Sequence, residues 1–95
     1  MRVTFDPAAS DELDRAFEWI AKDNRRAAYE LIARIEAKVS NLAAPELTYM
    51  GRPGLVEGTR ELLEWPYIIV YKVYEELAEI VIVSVVHGAQ DREKE

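Results

Sequence analysis

The sequence predicts a two-layer α+β fold with the order β-α-α-β-β-β, a helical hairpin packed on an antiparallel sheet. Three observations carry that reading. Between Gly58 and His87, three runs rich in Val, Ile, Leu and Tyr are parted only by Trp65-Pro66 and by Glu75 to Ala78, the pattern of a meander with two tight turns. Between Pro7 and Ala43, apolar residues recur at helical spacing in two blocks broken at Asp23-Asn24. The centre of the meander is apolar on both faces, so other elements must cover it.

Each element has a local cause. Met1 to Phe5 reads as a short strand with Val3 and Phe5 on one side. Asp6 precedes Pro7, a favoured first helical residue, and acidic Asp11 and Glu12 suit the N-terminal part of a helix. Helix one runs to about Lys22 with Ala9, Leu13, Ala16, Phe17 and Ile20 on one stripe. Asn24 caps a second helix whose face is Ala28, Leu31, Ile32, Ile35, Val39 and Leu42. Pro45 ends it. The loop to Gly58 is irregular, with a Gly51-Arg52-Pro53-Gly54 turn. The three strands are Thr59 to Glu64, Tyr67 to Tyr74 and Glu79 to His87, and residues 88–95 form a polar tail.

Strand register follows from the turns. With Trp65-Pro66 as a two-residue loop, Leu62 lies opposite Ile69 and Arg60 opposite Tyr71; across the second turn Tyr71 faces Ile82, Ile69 faces Ser84 and Val73 faces Ile80. One face then carries Arg60, Leu62, Tyr67, Ile69, Tyr71, Ile82, Ser84 and Val86. The other carries Leu63, Ile68, Val70, Val81, Val83 and Val85. The second set is aliphatic and compact, so the helices are assigned to it, and the Tyr71 face is left as a partner groove.

Length and composition exclude several functions. Ninety-five residues, 49% of them hydrophobic and 32% charged, make one domain with no run long enough to span a membrane. The start lacks the apolar core of a signal peptide, which sets the cytoplasm as the expected location. Without cysteine there is no disulfide or thiol chemistry, and one histidine is too few for a zinc site. The net charge is −6, and residues 45–95 hold 5 basic against 10 acidic side chains. That balance opposes direct binding of nucleic acid.

The residues suggest no catalytic group, metal site or cofactor. His87 reads as the polar end of the last strand, with acid–base work the competing reading. Trp19 lies off the helical stripe, as a flank residue or a partner contact. Arg60 sits in an apolar face and needs either an internal acceptor or an anionic group on a partner.

A resemblance adds more. Gly58-Thr59-Arg60-Glu61-Leu62, Tyr67-Ile68-Ile69-Val70-Tyr71-Lys72-Val73 and Ile82-Val83-Ser84-Val85-Val86-His87-Gly88 resemble the ParE/RelE superfamily of bacterial toxins. Phe5-Asp6-Pro7-Ala8-Ala9, Leu13 and Ala27-Ala28 fit the same pattern. RelE-type members are ribosome-dependent mRNA endonucleases using clustered Lys, Arg, Glu or His and often a C-terminal aromatic residue; ParE-type members lack that set and poison DNA gyrase. Here Arg60 matches the strand arginine of both types, yet residues 45–58 contain no lysine and nothing aromatic follows His87.

The resemblance therefore implies a non-enzymatic, ParE-like toxin of a type II toxin–antitoxin module. It acts on gyrase and is held in a hetero-oligomer by a ParD-like antitoxin. Trp19, Tyr29, Arg60, Leu62, Ile69, Tyr71 and Ile82 are the expected antitoxin contacts, and Arg52, His87 and Arg92 the expected target contacts. No cofactor, nucleic acid or membrane partner is implied. A RelE-like ribonuclease resting on Arg60 and His87 is the alternative, followed by a non-toxic binding module.

Overall fold

The computed structural model describes residues 1–89. Its elements are β1 (Arg2–Phe5), α1 (Pro7–Ala21), α2 (Arg25–Asn41), β2 (Arg52–Pro53), β3 (Arg60–Glu64), β4 (Tyr67–Tyr74) and β5 (Glu79–His87). Both helices start where their caps dictate. Asp6 Oδ1 accepts from the Ala8 N–H at 2.9 Å with Pro7 in the first turn, and Asn24 Oδ1 accepts from the Ala27 N–H at 3.0 Å. Asp11 and Glu12 fall beyond the first turn of α1, and Glu12 is turned toward β5 instead.

The five strands form one sheet in the order β1-β5-β4-β3-β2. The meander β3-β4-β5 is antiparallel, and its first turn is Trp65-Pro66, joined by a cis peptide. Two features extend the expected topology. The first strand pairs parallel to β5, with Val3 opposite Ile80 and Phe5 opposite Ile82. The loop contributes the two-residue β2, which pairs with β3 through Arg52 opposite Glu61.

The register is the expected one at Tyr71–Ile82 and Val73–Ile80, but a bulge follows. Val70 lies opposite Ser84 while Tyr71 lies opposite Ile82, so Val83 has no partner position. One extra residue re-aims everything after it. Ile69 therefore meets Val85 rather than Ser84, and Tyr67 meets His87.

The face assignment is reversed. The helices cover the Tyr71 side: Leu62, Tyr67, Ile69, Tyr71, Ile80, Ile82 and Val85 form one buried cluster with Ala9, Ala16, Leu31, Ile35, Val39 and Leu42. Leu62, Ile69, Tyr71 and Ile82 are thus core residues, not a partner groove. Larger side chains on that side fill the space under a helix pair, and the Tyr71 hydroxyl has partners in the loop. Tyr71 Oη donates to the Thr48 carbonyl at 2.9 Å and accepts from the Gly51 N–H at 3.1 Å, which removes the cost of burying a phenol. Gly51 is required for this approach, since a Cβ there would lie 2.6 Å from the Glu61 carbonyl oxygen and 2.9 Å from the Tyr71 ring.

On the opposite face Val70, Lys72, Val81 and Val86 are half-buried and Leu63 is exposed, while Ile68 and Glu61 are buried. The β3 edge is guarded from α2. Lys38 Nζ donates to the Leu63 carbonyl, and Arg34 Nε pairs with Glu64 at 2.8 Å. Charged side chains of this kind blunt a sheet edge against strand addition.

Candidate functional site: a cleft between the first helix and the last strand

Three elements meet in a cleft of about 500 Å³ lined by Glu12, Arg15 and Trp19 of α1, Tyr67 of β4, and Val85 and His87 of β5. Its volume is in the range of ligand and side-chain pockets. The α1 residues reach it because positions 12, 15, 16 and 19 lie on one side of a helix. Ala16, buried at the centre of that side, lets the helix sit close to the sheet.

The bulge shapes the other wall. Glu12 Oε1 accepts from the Val85 N–H at 3.0 Å and from Ser84 Oγ at 3.1 Å, so the carboxylate caps the backbone just after the irregular pairing. His87 stacks edge-to-face on Tyr67 with ring centroids 5.4 Å apart, and its Nδ1 accepts from the Ala89 N–H at 3.3 Å. Trp19 is 66% exposed at the rim, with Lys22 Nζ 5.3 Å from its ring centroid.

Arg60 lies elsewhere, at the opposite end of the meander. It donates to the Tyr49 carbonyl at 3.0 Å and also to the Gly51 carbonyl, and its guanidinium carbon lies 5.7 Å from the centroid of the Tyr49 ring. The apolar-face arginine is therefore held through Nη2 by backbone of the 45–58 loop. Its Nε is buried without a hydrogen-bond partner among the described residues. The Tyr49 hydroxyl in turn donates to Glu75 at the β4–β5 turn. That hydrogen bond, reinforced by partial burial and the carboxylate charge, raises the Tyr49 phenol above its ordinary value near 10.

The expected contact residues thus separate into groups. Trp19 and His87 share the cleft. Tyr29 is exposed on α2 and packs edge-to-face on Phe17 at 4.9 Å, beside a second groove of about 370 Å³ that includes Phe5, Leu13 and Ile32. Arg52 is tied to the buried carboxylate of Glu61 at 3.0 Å. Arg92 lies outside the described residues. Glu12 and Arg15 are cleft residues that sequence reasoning did not select; the signal was their placement at positions 12 and 15, on one side of a helix with Trp19. Among the described residues there is no group of side chains able to hold a metal ion and no helix long and apolar enough to cross a membrane.

Comparison with known proteins places the chain. A chain of the chromosomal ParDE TA system from P. aeruginosa superposes with a TM-score of 0.76 at 23% identity, covering 92% of this chain and 95% of that one. The RelBE2 toxin-antitoxin complex from Mycobacterium tuberculosis matches with a TM-score of 0.59 at 25% identity, covering 90% and 88%. The curated "Putative toxin Y4kP" of Sinorhizobium fredii is 36% identical over 91 residues, which is 94% of this chain and 90% of the relative. The family described as "ParE toxin of type II toxin-antitoxin system, parDE" matches residues 3–92, and with nearly the whole chain accounted for, this protein belongs to the ParE toxin family.

Proposed function

We propose that the chain is the toxin of a type II toxin–antitoxin module, that it inhibits DNA gyrase in the cytoplasm without catalysing a reaction, and that a ParD-like antitoxin neutralises it in a hetero-oligomer. Family membership supports the toxin and antitoxin parts of this reading. The state of Arg60 carries the non-enzymatic part. A ribonuclease must stabilise charge developing on phosphate with presented cations, whereas here one guanidinium nitrogen of the strand arginine, Nη2, is turned inward to the carbonyls of Tyr49 and Gly51. The overall charge of −6 points the same way, against a direct nucleic-acid ligand.

One observation favours a second reading. Arg15 and His87 share a cleft, and an arginine beside a histidine is a pair that a RelE-like endonuclease could use. Expression with and without the antitoxin, following plasmid supercoiling, DNA damage and mRNA cleavage together, separates the two. Gyrase-dependent DNA damage relieved by the antitoxin, with intact message, is the expected outcome. Codon-position cleavage abolished by His87→Ala would establish the ribonuclease instead, and absence of toxicity with retained antitoxin binding would leave a binding module.

A further inference from the structure

We propose that the groove between the 45–58 loop and the β4–β5 turn receives a lysine or arginine side chain from a basic surface of the target enzyme, an inference that rests on the gyrase reading above. The groove has a volume of about 630 Å³ and is lined by Tyr49, Val73, Tyr74, Glu75, Glu76 and Leu77. Its apolar walls stand in water: Tyr49 is 47%, Tyr74 41% and Leu77 71% exposed. Met50, next to Tyr49 in the chain, is exposed as well. A hydrogen bond from the Tyr49 hydroxyl to Glu75 ties the loop to the turn, so the two sides of the groove are fixed relative to each other.

Charge selects the occupant. The only charged side chains lining the groove are Glu75 and Glu76. The carboxylates of the strands are all paired within the fold, Glu61 with Arg52, Glu64 with Arg34 and Lys38, and Glu79 with Arg2. Glu75 and Glu76 form no ion pair among the described residues. Arg60 lies against the Tyr49 ring but lines the adjoining cavity, with Nη2 turned to the loop carbonyls. Two carboxylates beside tyrosine rings and aliphatic walls suit a cation on an apolar stem: ring faces attract the charge, and Val73 and Leu77 cover the methylenes. An enzyme that holds DNA must present lysine and arginine to the phosphates. A chain of net charge −6, with 10 acidic against 5 basic side chains in residues 45–95, is drawn toward such a surface.

The test uses the full-length chain and purified DNA gyrase, with affinity measured by calorimetry over a range of salt concentrations. Glu76→Lys should weaken binding roughly 10-fold or more and flatten the fall of affinity with salt. Asp11→Lys makes the same charge change at an exposed position of α1 and should alter affinity by less than about threefold. Tyr74→Ala should weaken binding, while Tyr74→Phe, which keeps the ring, should not. Affinity for the antitoxin encoded by the adjacent reading frame should be unchanged in Glu76→Lys. Glu76→Gln serves if the lysine variant melts below the wild type. A chain that binds gyrase and is indifferent to Glu76 overturns the groove's role while leaving the gyrase reading intact. Equal losses in Glu76→Lys and Asp11→Lys overturn it in favour of general charge attraction. Lost antitoxin affinity in a folded Glu76→Lys variant overturns it in favour of the antitoxin as occupant. Failure of the wild-type chain to bind gyrase at all overturns the reading beneath it.

Discussion

Tyr71 Oη donates to the carbonyl oxygen of Thr48 at 2.9 Å, joining the middle of β4 to a residue 23 positions earlier in the loop. Both groups are buried, and the Gly51 N–H completes the phenol's bonding. Removing only the hydroxyl, in Tyr71→Phe, should cost about 1–3 kcal/mol because the loop donor and acceptor lose a partner in a dry site. Tyr71→Ala adds a cavity and should cost about 3–5 kcal/mol. Thermal or denaturant unfolding of the two variants checks both values and their order.

Arg60 acts on the same loop from β3. Arg60→Ala should cost about 1–3 kcal/mol, the range for hydrogen bonds from a charged donor, toward the lower part because the side chain is only half-buried. Amide hydrogen exchange should accelerate mainly in residues 45–58, with the sheet protected. Selective loss of antitoxin affinity at unchanged loop protection would show that Arg60 serves a partner instead.

Glu12 ties α1 to the bulge in β5. Glu12→Ala leaves the Val85 N–H without its acceptor, an expected cost of about 1–2 kcal/mol. Glu12→Gln retains an oxygen and should lose clearly less. Equal melting temperatures for wild type and Glu12→Ala would mean that the bulge holds without its clamp.

Tyr49 and Glu75 give a pH dependence at the alkaline end. The phenol's folded value lies above its ordinary one near 10 because ionisation would break the bond it donates to Glu75. The stabilisation is therefore fully present below the unfolded tyrosine's pKa and is lost as pH rises through the folded value. Ultraviolet titration of wild type against Tyr49→Phe isolates this phenol. Glu75→Gln should move its midpoint back toward 10.

The elements were legible in the sequence because each had a local cause. Pro7, Asn24 and Trp65-Pro66 set boundaries that the backbone could hardly ignore. The two helical stripes were also legible, since Ala9, Ala16, Leu31, Ile35, Val39 and Leu42 all reach the core. The covered face was not legible. Alternation tells which residues share a side but not which side meets the helices, and here both sides were apolar. The deciding facts were long-range ones, the partners of the Tyr71 hydroxyl and the extra residue Val83, neither visible in a pattern of period two. For the same reason Trp19 and His87 could be named without seeing that they face each other across one cleft with Arg15.

The sharpest check of the reversed face compares two neighbours in the chain, Ile69 and Val70. Ile69 is fully buried under the helices, whereas Val70 is half-buried on the open side. Ile69→Lys would place an unpaired charge in the core and should cost about 4 kcal/mol or more, enough to unfold the domain. Val70→Lys meets a different environment. Its cross-strand partner is Glu61, whose carboxylate already binds Arg52 from the other flank, and Lys72 stands on the same side of the strand. A lysine there can join Glu61 across the ladder, and opposite charges directly opposed stabilise a sheet by a few tenths of a kcal/mol up to about 1. The lost valine packing is of similar size, so Val70→Lys should stay within about 1 kcal/mol of wild type. Circular dichroism melts of the two variants decide it. A folded Ile69→Lys beside an unfolded Val70→Lys would put the helices back on the aliphatic face.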